Sequence, residues 1–153
     1  MSTVKELAVA RIEKTSKALL ASAEKLSPEQ GVWKPMDKGR TALSQVFECG
    51  FINNNIAETL NARDYPASSI PELMQAMQKA EHEHDTLEKA IVYLKTSSVF
   101  LFAAADNFPE KHLFEEVKLP FGMFTYEALL FQAYWNMSYH EGQINYILQL
   151  CAE

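Results

Sequence analysis

Cysteine is nearly absent from this sequence. Only Cys49 and Cys151 occur, in no CxxC or zinc-finger spacing, so neither a disulfide framework nor a structural zinc site is implied. Reduced thiols in the cytoplasm are the expectation. Long apolar runs are missing too. The most apolar, Val99 to Ala105, falls far short of the roughly 20 residues that a membrane span needs, and Lys95 and Asp106 flank it. It reads as a buried core helix, and no membrane partner is expected. The residues after Met1 enter an amphipathic pattern at once, without the apolar block of a secretory signal. Positive charge is in deficit: 14 Lys and Arg stand against 20 Asp and Glu, a net charge of −6. No basic stripe is visible, so phosphate-backbone binding lacks its driving force and nucleic acid is not an expected partner. A Gly-rich phosphate loop, a GxSxG elbow, an HExxH pair, internal repeats and low-complexity tracts are all absent.

What remains is a chain of 153 residues, 48% hydrophobic and 22% charged, which suits one globular domain over 1–153 with a core of its own. Val4, Leu7, Ala8, Ile12, Leu19, Ala23 and Leu26 recur mostly in steps of three or four, which predicts a first helix ending near Leu26. Ser27-Pro28-Glu29-Gln30 has the form of an N-cap, a proline at the first helical position and a reciprocal partner. A second helix is predicted from Arg40 or Thr41 to about Arg63, with Asn53 and Asn54 on or beside its apolar face. Ser69-Ile70-Pro71-Glu72 reads as another capping box. It opens a helical region to about Asn107, broken near Glu81–Asp85, where Asp85 to Glu88 caps a further segment. Phe108–Phe121 reads as a crossover loop with room for a short extended piece, and a last helix follows Gly122. The expected class is all-α: a four-helix bundle with one long crossover connection.

The last helix is the informative one. At 100° per residue, Thr125, Gln132, His140 and Gln143 fall within about 40° of Asn136, together with Leu129, Ile147 and Leu150. Polar side chains thus stand where a bundle helix normally places leucine. Buried without partners, each would cost on the order of 1–3 kcal/mol. Two readings follow: a structural hydrogen-bonded network, or a polar pocket around His140 that takes water or a ligand. On the second helix Glu48 and Cys49 lie at the edges of the apolar arc, placed for inter-helix contact or for that pocket. His82 and His84 diverge by about 200° on a helix and read as a solvated face. His112 falls in the crossover loop with no partner assigned.

The run Trp135-Asn136-Met137-Ser138-Tyr139-His140-Glu141-Gly142-Gln143-Ile144-Asn145-Tyr146 resembles the terminal-helix motif of the DinB-like, or YfiT-like, superfamily. The likeness is best around His-x-Gly-Gln-Ile-x-Tyr and extends loosely over the chain through helix order and the loop at Trp33–Pro35. It implies a four-helix bundle, often a homodimer, with a divalent metal such as nickel or zinc on three histidines and thiol-dependent transferase or isomerase activity. It places His140 at the last ligand position, Asn136 at the preceding one, and Glu48 at the second-helix position, with Cys49 as the alternative. Only one imidazole of three remains. Zinc and nickel favour nitrogen and sulfur over a neutral amide oxygen, so a metal on Glu48, Asn136 and His140 is expected to be weak.

Three functions therefore compete. One is a non-catalytic bundle holding a small-molecule ligand in a pocket that includes Gln132 and Gln143. Another is a divalent-metal-dependent enzyme of thiol-transferase or hydrolase type. The third is a purely structural homodimer through an apolar strip of Leu130, Met137 and Leu148.

Overall fold

The computed structural model describes residues 3–151. Helix α1 (Val4–Ala23) opens on Thr3, which exchanges hydrogen bonds with Glu6 in a full capping box. It stops one turn short of Leu26. The Ser27 box forms as the sequence predicts: Gln30 N–H donates to Ser27 Oγ at 3.2 Å, and Ser27 N–H donates to Gln30 Oε1 at 2.9 Å, starting the short α2 (Pro28–Val32). A 3₁₀ turn at Pro35–Asp37 leads to α3 (Ala42–Ala62), capped by the Thr41 hydroxyl. Helix α3 ends on Arg63 in the left-handed region at φ 61°. That conformation is costly for arginine, but it is held from both ends. Tyr126 donates to the Arg63 carbonyl at 3.2 Å, and the guanidinium lies 4.1 Å from the centre of the Phe108 ring.

Helix α4 (Ile70–Glu83) has only half of its expected box: Ser69 accepts from Glu72 N–H, but the Glu72 carboxylate turns to Ser68 instead. The break after α4 lies where charge accumulates, yet its cap is Thr86 and not Asp85. Thr86 Oγ1 accepts from Lys89 N–H to begin α5 (Leu87–Asn107), while Asp85 pairs with the Lys89 ammonium at 2.7 Å. Beyond a 3₁₀ turn at Glu110–His112, strands β1 (Glu116–Leu119) and β2 (Gly122–Thr125) form an antiparallel hairpin with Leu119 opposite Gly122. Residues expected to open the last helix are therefore β2, and α6 (Tyr126–Leu150) starts at the Thr125 cap.

The long helices α1, α3, α5 and α6 make the bundle. Helix α3 packs against α5 and α6, as α1 does, so α1 and α3 stand on one diagonal. Contacts set the directions. Thr15 meets Ser138 and Ser22 meets Asn145, so α1 and α6 run parallel; Asn53 meets Ser98 and Gly50 meets Leu94, so α3 and α5 run parallel. Glu48 meets Asn136, while Arg63 meets Tyr126, so α3 and α6 are antiparallel. Joining parallel helices requires a crossover, and it is residues 63–86 with α4, between α3 and α5. The 108–121 segment, expected to be the crossover, instead turns the chain back between two antiparallel helices.

The core gathers Ile12, Leu19, Val46, Phe47, Leu94 and Leu101 from the bundle helices. Leu130 and Met137 are fully buried and Leu148 packs against them, so the apolar strip considered for a dimer belongs to the monomer interior. Of the apolar run on α5, Leu101, Ala104 and Ala105 are core, but Val99 and Phe100 face outward. Among the described residues, no helix is long and apolar enough to cross a membrane.

Candidate functional site

Antiparallel packing of α3 on α6 brings together side chains far apart in sequence. His140 is 2% exposed. Its Nδ1 lies 3.0 Å from Gln45 Oε1 and 2.9 Å from Gln143 Oε1, and its Nε2 lies 3.1 Å from Glu48 Oε1. Both ring nitrogens face oxygen acceptors, an arrangement that a doubly protonated ring satisfies completely. Asn136, one turn earlier, donates from Nδ2 to the same Glu48 oxygen at 3.2 Å. The other Glu48 oxygen accepts from Arg40 Nη2 at 2.6 Å, and Gln45 Nε2 donates to the Arg40 carbonyl at 3.3 Å. Hydrogen bonding to His140, supported by the bond and charge of Arg40, holds the Glu48 carboxyl down at about 2 against the opposing effect of burial. Among the described residues, two buried amide oxygens lack a hydrogen-bond partner, Asn136 Oδ1 in this cluster and Asn53 Oδ1 deeper in the core.

The predicted residues divide. Glu48, Asn136, His140 and Gln143 meet. Cys49 is turned into the core, where burial, reinforced by the charge of Glu48, pushes its thiol up, so it remains a neutral thiol. Gln132 is exposed and lies at a separate, largely apolar cavity of about 290 Å³ with Ile52, Tyr65 and Phe121. Thr125 serves as a helix cap.

The donor set does not suit a tightly held zinc or nickel ion. It comprises one imidazole, one neutral amide and a carboxylate already neutralised by a guanidinium, which would repel a nearby dication. Among the described residues, no group of three or more His, Cys, Asp or Glu side chains is placed to hold a metal ion. Beside the cluster lies a cavity of about 420 Å³. Arg40, Gln45 and Gln143 give it polar lining, and Tyr139, Gly142 and Tyr146 line it as well. The two glutamines that hold the His140 ring thus also face this space.

Of the remaining histidines, His82 is exposed as expected, while the other two sit differently. His84 is half-buried, stacked on Tyr93 at 4.0 Å between ring centres, with Nδ1 at 2.7 Å from the Ala80 carbonyl. His112 pairs with the Glu115 carboxylate.

No family model matches the chain, and no curated protein matches it. Solved structures do. The mycothiol-dependent maleylpyruvate isomerase matches with a TM-score of 0.70, and a point mutant of it with 0.71, each at 12% identity over 92% of this chain. The chain shares the isomerase fold. It spans 62% of the length of each isomerase chain, and at this identity the likeness is one of architecture.

Sequence reading missed Arg40 and Gln45, which do as much in this network as the residues it found. Gln45 did leave a signal. It stands three residues before Glu48, on the same helical face, amid the buried Ala42, Val46 and Cys49. Arg40 precedes the helix, so no periodicity marks it.

Proposed function

We propose that this chain is a DinB-like bundle that binds a small molecule at the α3–α6 seam beside His140, without metal-dependent catalysis. The observation that carries the reading is the engagement of Glu48: Arg40 occupies one oxygen, and His140 with Asn136 occupies the other. Charge is compensated inside the protein, and a cavity adjoins the network. Arg40 brings the cation of this network to the lining of that cavity. Tyr139 and Tyr146 line the same cavity. That combination favours a small aromatic carboxylate, its anionic end toward Arg40 and Gln143 and its flat part against tyrosine. Two free thiols, Cys49 and Cys151, support a cytoplasmic location.

A second reading is a divalent-metal-dependent thiol transferase or isomerase. It is favoured by the mycothiol dependence of the structural neighbours and by the unpartnered Asn136 oxygen. Metal analysis of purified protein exposed to nickel and zinc separates the two readings. Well below one ion per chain is expected; a full equivalent that disappears in His140→Ala would replace the first reading with the second. Calorimetric titration with benzoate and salicylate tests the ligand itself. Binding weakened by Gln143→Leu is expected, and no heat from either acid would remove the carboxylate assignment.

A further inference from the structure

The hairpin, α3 and α6 all contribute to the cavity of about 290 Å³ that Gln132 lines. A void of about 150 Å³ in a protein core is enough for benzene, so this one has room for a substituted ring. Gln132 lines this space and Gln143 the one beside His140, which sets the two about 16 Å apart along α6. Ile56 and Leu129 are buried while Phe121 and Gln132 are exposed, so the lining runs from core to solvent. Asn55 is only 8% exposed, although Ile52 and Ile56 share its helical face. An aliphatic side chain would bury there freely, whereas a carboxamide is costly unless its polar atoms are matched. Burial pushes the Tyr65 phenol up, so it stays a neutral donor, and hydrogen bonding from the Asn55 amide opposes that shift only in part. Such a contact uses an Asn55 N–H and the Tyr65 oxygen. It leaves the Asn55 carbonyl oxygen as an acceptor and the Tyr65 hydroxyl hydrogen as a donor. The neighbouring rings are set edge to face: Tyr65 and Phe121 at 6.4 Å and 78°, Phe121 and Phe124 at 5.5 Å and 76°. No charged residue lines the cavity, and the charge felt at Tyr65 is that of the Glu58 carboxylate. An anion would be repelled there, and a cation would enter a lining without a counter-charge.

We infer that this cavity is a second ligand site, selective for a neutral aromatic amide. The ligand's ring packs among Tyr65, Phe121 and Phe124. Its amide carbonyl accepts from the Tyr65 hydroxyl, and its N–H donates to the Asn55 carbonyl oxygen. Gln132, at the exposed end, offers a further donor and acceptor. A lining that is apolar over most of its area, with a few convergent polar groups, is the usual make-up of a small-molecule site. The chemistry is the complement of that beside Arg40: a carboxylate is favoured there, and an uncharged molecule of the same shape here. The two sites are independent, and this one stands whether or not the cavity beside His140 holds anything.

Benzamide and benzoate differ in little but charge, and together they test the assignment. Titration of the full chain with benzamide, followed through side-chain amide signals in NMR spectra, should shift Asn55 and Gln132 with a Kd on the order of 1 mM, as suits a one-ring ligand. Benzoate should act on the same two signals about tenfold more weakly or less. Tyr65→Phe removes the hydroxyl and keeps the ring, and should weaken benzamide about tenfold. Phe121→Ala, at an exposed turn position, should weaken it about threefold or more. No shift of Asn55 and Gln132 in about 10 mM benzamide overturns the inference, as does equal binding of benzoate at those signals. A Kd moved by neither substitution overturns it as well. The comparison of the two probes needs no variant, so a substitution that fails to fold does not spare the inference. Gln143→Leu should leave benzamide binding unchanged, which keeps this result separate from the benzoate and salicylate titrations of the pocket beside His140.

Discussion

Helix α3 meets its two main neighbours by opposite means. Toward α5 it offers Gly50, where an added Cβ would come within 2.8 Å of Tyr93 Cδ1 and 3.2 Å of the Leu94 backbone nitrogen. Toward α6 it offers Gln45 and Glu48, which meet His140 and Asn136 through directed hydrogen bonds. The first seam is held by close approach of backbones and is sensitive to volume. The second is held by charge and donor–acceptor matching and is sensitive to polarity and pH. Polar seams of this kind add little stability compared with an apolar one of the same size. That seam also borders the cavity beside Gln143.

Breaking the close-packed seam should have the largest effect. Gly50→Val drives a branched side chain into Tyr93 and the α5 backbone, and should lower unfolding free energy by about 3 kcal/mol in denaturant titration. A loss well under about 1 kcal/mol would mean the two helices can part freely. Next comes the polar seam. Glu48→Gln removes the carboxylate shared by Arg40, His140 and Asn136, and should cost about 2 kcal/mol at neutral pH. Its pH dependence has a definite sign. Because the folded Glu48 value, about 2, lies below the ordinary 4.5, the stabilisation is complete above about 4.5 and is lost as pH falls toward 2. Wild type and Glu48→Gln should therefore converge in stability as pH falls through that window; a constant gap would show that the ionised carboxylate is not what the network depends on. The smallest effect sharpens the contrast between two glycines. Gly142→Ala, measured at high dilution, should raise stability by about 0.5–1 kcal/mol because its Cβ meets nothing and helix propensity improves. The same residue type thus responds with opposite sign on the two sides of the bundle.

The cap at Ser27 and the bounds of α3 are legible in the sequence because their causes lie within a turn of the residue concerned. The crossover is not. Proline and alternation at 108–121 announce irregular backbone, but whether a connection joins parallel or antiparallel helices depends on which faces pack. Placement of the polar row was legible in its centre, at Asn136 and His140, and failed at its edge, at Gln132. A helical wheel gives direction around one axis only, and where the bundle surface begins depends on the neighbouring helix. Glu48 was legible at the edge of the apolar arc of its helix, together with Cys49. Arg40 joins it from a loop, whose course no periodicity describes.

Composition, capping chemistry and apolar spacing by themselves determined an all-α bundle, with its helices nearly in place and one buried imidazole near its end, since all of these follow from interactions a few residues long. Tertiary structure alone decided that Gln45 would grip that imidazole from 95 residues away, that Leu130 and Met137 would be core, and that Trp135, Tyr139 and Tyr146 would be left outside. The reason is physical: an apolar stripe wide enough for more than one partner becomes inside or outside only when a particular helix arrives to cover it.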